Sequence, residues 1–361
     1  MIDFFRYSNS FLVRKSINFI RFLFLKAFNI YDFNFKNETV LLFRKYLKKR
    51  NFNLIYINLI KNLDDKSNLV IDLTLQRIND TSKIIYANNL SKNELIDGLN
   101  VKGFDFPFIK NNCSISINYY KDIYPGYKTY EIPVFKFHHG LRLLDKKSLE
   151  YIKDKDAIDA GSFELDSAVV LSNNYNFKKI FSFEIDKINF KKGLKILEEN
   201  YEFINNIKSI NIGISNEEKI EDTIFSGSSV SQLGVNKKNI PNYINHKKGK
   251  VKVTTIDKFS EKNNLNLGYI KMDIEGAEYN ALLGAKESIK KFLPIMSISI
   301  YHSPRDYFEI KPLIESIAPG EYDFYVRKLA PWYNQSETYL ICIPKKLNSK
   351  ILSLDDDPIY G

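Results

Sequence analysis

From residue 151 onward, short apolar runs alternate with stretches whose apolar residues recur at helical spacing. The first run ends at Ala157-Ile158-Asp159. Ala160-Gly161-Ser162-Phe163 reads as a turn, with a helix over Asp166–Ser172 behind it. Lys179–Phe183 reads as a second strand ending at Glu184, then a helix over Ile188–Tyr201 and a third strand over Ser209–Ile214. Residues 216–249 are polar and irregular and read as an insertion or lid over a site. Val251–Thr254 is a short strand. Leu267–Met272 is the fourth main strand, and Ala281, Leu282, Ala285 and Ile289 mark one helix over Ala277–Lys291. Ile295–Tyr301 makes a fifth strand ending at His302, and Asp306–Ile317 a helix. Tyr322–Arg327 and Thr338–Ile343 are joined too closely for a crossover helix, so they pair antiparallel. Strand alternating with helix predicts an α/β fold with a mostly parallel sheet.

Ahead of it, residues 1–115 read as a largely helical region with no role assigned. Val13, Ile17, Ile20, Phe24 and Ala27 share a face in an amphipathic, basic helix over 1–35. A second helix is predicted over 38–62, with a basic run at Lys48-Lys49-Arg50. A third opens at Leu63-Asp64-Asp65-Lys66-Ser67 and continues through Leu69–Ile78. Residues 116–150 read as a strand-rich connecting segment. Ile115, Ile117 and Tyr119 alternate, Pro125-Gly126 turns, and His138-His139-Gly140 follow. The domain predicted from the alternation is 151–361.

Charge sharpens this division. Residues 1–150 carry 24 Lys+Arg against 14 Asp+Glu, whereas 151–361 carry 29 against 29, so the first part holds the whole net charge of +10. A basic face suits nucleic acid, anionic lipid or an acidic glycan. The 1–35 helix is of a kind that lies on a membrane surface as a peripheral contact at the inner face, or packs on its own protein; packing is the expectation. No nucleic-acid partner is expected, because neither an aromatic-basic recognition motif nor an Asn-Pro-Pro-aromatic motif is present. Cys113 and Cys342 make neither a disulfide framework nor a zinc pattern, and no apolar leader opens the chain, which points to the cytoplasm. Arg14, Lys15, Arg21 and Lys26 interrupt the most apolar stretch, too often for a membrane span.

Two turns carry the candidate chemistry. At Asp159-Ala160-Gly161, a glycine admits a ligand to the backbone and the next helix offers free N–H groups. Glu184, 25 residues on, ends the second strand where an acid suits ribose hydroxyls; the usual spacing is roughly 20. A single glycine argues against a dinucleotide and for an adenosyl ligand without pyrophosphate. The other turn is Tyr269-Ile270-Lys271-Met272-Asp273-Ile274-Glu275-Gly276-Ala277-Glu278. It places three carboxylates in six residues at a strand end, the edge where open α/β sheets bind ligands. Glu275 and Glu278 could equally dress a helix N-terminus.

The 270–278 stretch, with Leu283-Gly284-Ala285 and Ile298-Ser299-Ile300-Tyr301-His302, resembles the FkbM-type methyltransferase family. Ile158-Asp159-Ala160-Gly161, Phe183-Glu184 and Thr254-Thr255-Ile256-Asp257 stand where that family keeps further motifs, so the resemblance spans about residues 127–345. It implies a class I methyltransferase fold, a Rossmann-like seven-stranded sheet. It also implies S-adenosyl-L-methionine as cofactor and O-methylation of a sugar or glycan hydroxyl, with surface polysaccharide as one acceptor. Leu165 departs from the pattern: it stands at the family's second glycine, where a side chain is expected to crowd helix against strand or cofactor. That departure motivates the alternative of a non-catalytic methyltransferase-like scaffold; a nucleic-acid methyltransferase is a lesser one.

On this reading Gly161 and Ser162 approach the methionine portion, Asp159 its ammonium and Glu184 the ribose. Asp166 caps its helix or lies by the cofactor carboxylate. Asp273 is the first candidate at the acceptor, as a base or as a ligand to Mg2+, since hard cations prefer oxygen. Glu275 and Glu278 come second, and His302 is expected as a general base. His138 and His139 could close the site from the preceding segment, but a structural role is expected of each, and Tyr301 is expected in the core.

Overall fold

A computed structural model describes residues 35–86, 134–135, 137–199, 205–226, 231–233, 247–329 and 337–352. The amphipathic helix expected over 1–35 lies outside them, as do residues 116–133 of the connecting segment.

In the N-terminal region, α1 (Phe35–Lys48), α2 (Phe52–Ile60) and α3 (Asp65–Tyr86) follow one another, and α4 (Lys146–Ile152) precedes the sheet. The helix expected over 38–62 is in fact two. Asn51 is extended (φ −74°, ψ 100°) and its side chain accepts from the Leu54 N–H, so it starts a new helix instead of continuing the old one. The described end of the connecting segment is helical, not strand: a 3-10 turn over His138–Leu143 leads into α4, which Asp145 caps.

The sheet contains β1 (Asp156–Ala160), β2 (Lys179–Phe183), β3 (Ile207–Ile210), β8 (Leu267–Met272), β9 (Ile295–Ser299), β10 (Tyr322–Lys328) and β11 (Thr338–Pro344). Its order is β10-β11-β9-β8-β1-β2-β3. Only β11 runs against its neighbours. This is the mostly parallel, seven-stranded sheet that the family resemblance implies. The strand order reverses between β1 and β8, so their C-terminal ends open a crevice there.

Side-chain alternation divides the interior in two. Ile158, Ala160, Ile270, Met272 and Ile298 face one core, with Phe43 and Ile71 from the N-terminal helices. Ala157, Tyr269, Ile295, Tyr339 and Ile341 face the other. Both faces are covered, which is why the strands read as continuous apolar runs. The helices α5 (Asp166–Asn174), α6 (Lys187–Glu199), α7 (Ile256–Lys262), α8 (Glu278–Leu283), α9 (Lys286–Phe292) and α10 (Pro304–Ile317) complete the layers.

The N-terminal helices are part of this fold. Leu63 bridges to Phe324 on the edge strand β10. Asp64 caps α3 through the Ser67 N–H and takes both Arg327 nitrogens, at 3.1 and 2.6 Å. Ser67 Oγ accepts the Val326 N–H. An edge that would otherwise offer unpaired backbone groups is thereby closed.

Three further expectations change. The strand expected over Ser209–Ile214 is split: β3 pairs with β2, while β4 (Gly213–Ile214) pairs with β7 (Lys247–Thr254) in a second sheet. At the break, the Asn211 amide donates to Glu184 O and Ile185 O, which turns the chain. Within the stretch expected to be irregular, β5 (Lys219–Phe225) and β6 (Gln232–Leu233) join that second sheet, ordered β4-β7-β5-β6. Lys248, Lys250 and Lys252 on the exposed face of β7 disguise its period of two as a charge run. The helix over Ala277–Lys291 is also two, α8 and α9. Gly284 ends the first, and Asp257 caps the second through the Glu287 and Ser288 N–H groups. Thr255 caps α7, so the Thr254–Asp257 motif is a pair of helix caps.

Candidate active site

The crevice is built from two turns that touch. After β1, Gly161 is left-handed (φ +83°), and a Cβ there would lie 1.8 Å from the Asp273 carbonyl oxygen, so only glycine fits. The N–H groups of Gly161 and Ser162 both donate to Phe183 O at 3.0 Å, tying this turn to the end of β2. Beneath it, Lys271 is buried: its Nζ donates to Gly161 O at 2.8 Å and lies 3.1 Å from Asp159 Oδ1. Burial opposes the lysine charge, but Asp159, Asp273 and Asp166 outweigh it and raise its pKa.

After β8, Glu275 (φ +58°) and Gly276 (φ +99°) reverse the chain. The fully buried Glu278 carboxylate staples this reversal, accepting the Ile274 and Gly276 N–H groups at 2.8 Å each. Its Oε1 also meets His302 Nδ1 at 2.8 Å. His302 Nε2 points to Asp273 Oδ1 at 3.3 Å and Glu275 Oε1 at 3.7 Å. Asp273 Oδ2 accepts from the Tyr339 hydroxyl at 3.0 Å, and Tyr301 Oη lies 3.4 Å from Asp273 Oδ1.

Electrostatics separates the acids. Burial favours a neutral imidazole at His302, but Glu278, Glu275 and Asp273 outweigh it and raise its pKa well above the ordinary value. Burial likewise acts against the Asp273 charge; His302 and Lys271 overcome it and hold its pKa low. Glu275 is pushed up to about 7, by burial first, with Asp273 and Glu278 adding and His302 opposing. Burial raises Glu184 to about 8.

Between the turns lies a cleft of about 500 Å³, with Gly161, Glu184, Asp273 and Glu275 among its lining residues. Phe183, Ile185, Ile214 and Leu233 supply apolar walls. Ser231 also faces it and donates to Asp186 Oδ2 at 2.8 Å, so the second sheet forms one wall.

Residues 169–327 match the sequence model of the methyltransferase FkbM domain. That stretch is similar to an FkbM methyltransferase domain. Among solved structures it is similar to the methyltransferase FkbM of Methylobacillus flagellatus KT, at 21% identity and a TM-score of 0.41, over 60% of this chain and 59% of that one. The similarity therefore spans less than two thirds of that protein. An rRNA methylase from Streptococcus thermophilus is 13% identical over 61% of this chain and 97% of its own, with a TM-score of 0.35. Aeropyrum pernix fibrillarin, in complex with natively bound S-adenosyl-L-methionine, is 12% identical over 53% of this chain and 67% of its own, at 0.31. No curated protein matches the chain.

The matched FkbM stretch begins beyond the first turn, so it contains Glu184, Asp273, Glu275, Glu278 and His302 but not Asp159, Gly161, Ser162 or Asp166. The structure brings Gly161, Glu184, Asp273 and Glu275 to one cleft and gives the other candidates different surroundings. Asp159 does not line the cleft: it is buried, accepts from Ser167 Oγ at 2.8 Å and pairs with Lys271. Its carboxylate is engaged beneath the turn by Ser167 and Lys271. Asp166 opens α5 and accepts the Ser167 N–H at 2.7 Å, while the N-cap position itself is Leu165. Ser162 is buried, and its Oγ has no hydrogen-bond partner. His302 was expected as a base; the three carboxylates around it raise its pKa well above the ordinary value. His138 is buried against Tyr175 at 2.8 Å. His139 lies behind the site, 3.3 Å from Tyr339 Oη. Tyr301, expected in the core, instead aims its hydroxyl at Asp273 and Glu337.

Leu165 does not crowd the cleft. It adopts the left-handed conformation (φ +69°) expected of a glycine, at a cost of roughly 1–2 kcal/mol. Its side chain turns into the second core, against Gly193 of α6: a Cβ on Gly193 would sit 2.8 Å from Leu165 Cγ. The glycine missing from the turn is answered by one in the facing helix. Lys271, Tyr339 and Ser231 escaped the sequence reading. Lys271 sat inside an apolar strand pattern, and the other two lie far from the motifs in sequence.

Proposed function

We propose that the chain is an S-adenosyl-L-methionine-dependent O-methyltransferase acting on a hydroxyl of a sugar or glycan. The observation that carries the donor reading is the cleft itself. Glu184 ends one wall, apolar side chains face a flat ring, and the turn at Ala160 and Gly161 closes the floor. Those features suit an adenosine with a polar tail. Glu184 would accept hydrogen bonds from ribose hydroxyls. When bound, S-adenosyl-L-methionine supplies an electrophilic methyl group on sulfonium sulfur. The chain's part is to hold the acceptor hydroxyl in line and to take its proton. Glu275 is the candidate base, since it lines the cleft and titrates at about 7; Asp273, held ionised, orients the acceptor with Tyr339. Sugar as acceptor rests on the family resemblance. Magnesium, expected at Asp273, prefers an all-oxygen shell, whereas the β8 mouth also presents an imidazole nitrogen.

The test is incubation with methyl-tritiated S-adenosyl-L-methionine and fractionated glycans or RNA. Label recovered in carbohydrate as an alkali-stable ether, and lost in Glu275→Gln, is the expected result. Label in RNA would favour a nucleic-acid methyltransferase, and no donor binding at all would favour a scaffold.

A further inference from the structure

We propose that His302, Asp273 and Glu275 form a site for one divalent transition-metal ion, of the manganese, iron or zinc class, at the mouth of β8. Glu278 holds His302 Nδ1 at 2.8 Å and so fixes the ring with Nε2 directed at Asp273 and Glu275. That nitrogen makes no hydrogen bond, and the side chain is only 7% exposed. A carboxylate on one ring nitrogen with the other left for an ion is the arrangement that orients metal-bound histidines.

The spacing suits an ion. Ligands about 2.0–2.2 Å from a metal stand roughly 3–3.5 Å apart. Nε2 lies 3.3 Å from Asp273 and 3.7 Å from Glu275, while the residues whose ligand atoms all fall within 4.8 Å of one another are Asp273, Glu278 and His302, a group without Glu275. Glu278 is assigned to the outer layer because each of its oxygens already accepts a backbone N–H. Glu275 takes its place, as it lines the cleft beside Asp273. Three carboxylates surround one imidazole, leaving negative charge that a divalent cation balances; the ion displaces the imidazole proton on binding. One nitrogen among oxygen ligands favours manganese, iron or zinc over magnesium. With an ion bound, Glu275 would be a ligand and not the base, and the ion would act on the acceptor oxygen as a Lewis acid. The inference rests on the β8 mouth alone and stands apart from the donor reading.

The test uses the full chain, stripped with EDTA, desalted and titrated with MnCl2, following the free-ion signal by electron paramagnetic resonance. One ion per chain is expected, with nitrogen modulation of the bound signal from His302. Equimolar Zn2+ should displace it and equimolar Mg2+ should not. Glu275→Gln and His302→Gln should each weaken binding by at least about tenfold, as loss of metal-site partners does. Absence of Mn2+ binding, binding unchanged in Glu275→Gln, a bound signal without nitrogen modulation, or equal displacement by Mg2+ would each overturn the proposal. If circular dichroism shows that His302→Gln does not fold, Glu275→Gln and the nitrogen modulation decide.

Discussion

Two charge clusters lie at opposite parts of the same sheet. At the β10 edge, one guanidinium meets one carboxylate: Arg327 makes two bonds to Asp64 and one to Ser67 Oγ, and Asp64 also caps α3. Donors and acceptors there are matched. At the β8 mouth, one imidazole meets three carboxylates, and Tyr339 and Tyr301 add hydroxyls pointed at Asp273. Acceptors there outnumber cations. A matched cluster fixes one arrangement of the chain and has nothing left for a ligand. An oversupplied cluster costs stability and persists where a site needs it.

The comparison predicts opposite outcomes for similar substitutions. Asp64→Ala leaves a buried guanidinium unpaired and removes a helix cap, so it should cost about 3–4 kcal/mol in urea unfolding with donor binding intact. Glu184→Gln should do the reverse. Glu184 takes up its proton at about 8 in the folded chain and at its ordinary value of 4.5 when unfolded. Between those values the folded chain holds more protons, so stability falls as pH rises; the contribution is complete below 4.5 and lost above about 8. The Gln variant should therefore be more stable than the parent at pH 9 by roughly 2–4 kcal/mol, with little difference at pH 5. Equal pH profiles for the two would contradict the buried placement of Glu184.

Gly193→Ala tests the answer to Leu165. Its methyl group meets Leu165 Cγ, and overpacking of this kind costs about 1–3 kcal/mol. Adding Leu165→Gly should restore part of the loss, whereas additive losses would show that the two side chains do not meet. The smallest effect is expected of Tyr339→Phe. It removes one hydroxyl from Asp273 at about 1 kcal/mol, visible as a slight fall in thermal midpoint.

Much of this was legible in the sequence. The strands of the main sheet declared themselves because burial on both faces leaves only apolar residues. Gly161, Glu184, Asp273 and Glu275 were found because strand ends are where open sheets bind ligands. What stayed hidden depends on partners distant in the chain. Lys271 reads as an interruption of a strand until Asp159 is seen beside it. Leu165 reads as a defect until Gly193 is seen opposite. His302 reads as a lone histidine until Asp273, Glu275 and Glu278 are seen around it. The second sheet was missed because lysines on its outer face hid the alternation.

The central claim is that the cleft between β1, β2 and β8 is an adenosyl site. Calorimetric titration of the full chain with S-adenosylhomocysteine, beside Glu184→Gln, tests it most directly. At pH 9, where Glu184 is ionised, the account predicts one site per chain in the parent and a loss of affinity of at least about tenfold in the variant, a single charge-assisted contact amounting to roughly 1.5–3 kcal/mol. Equal binding by parent and variant, or none by the parent, would contradict it.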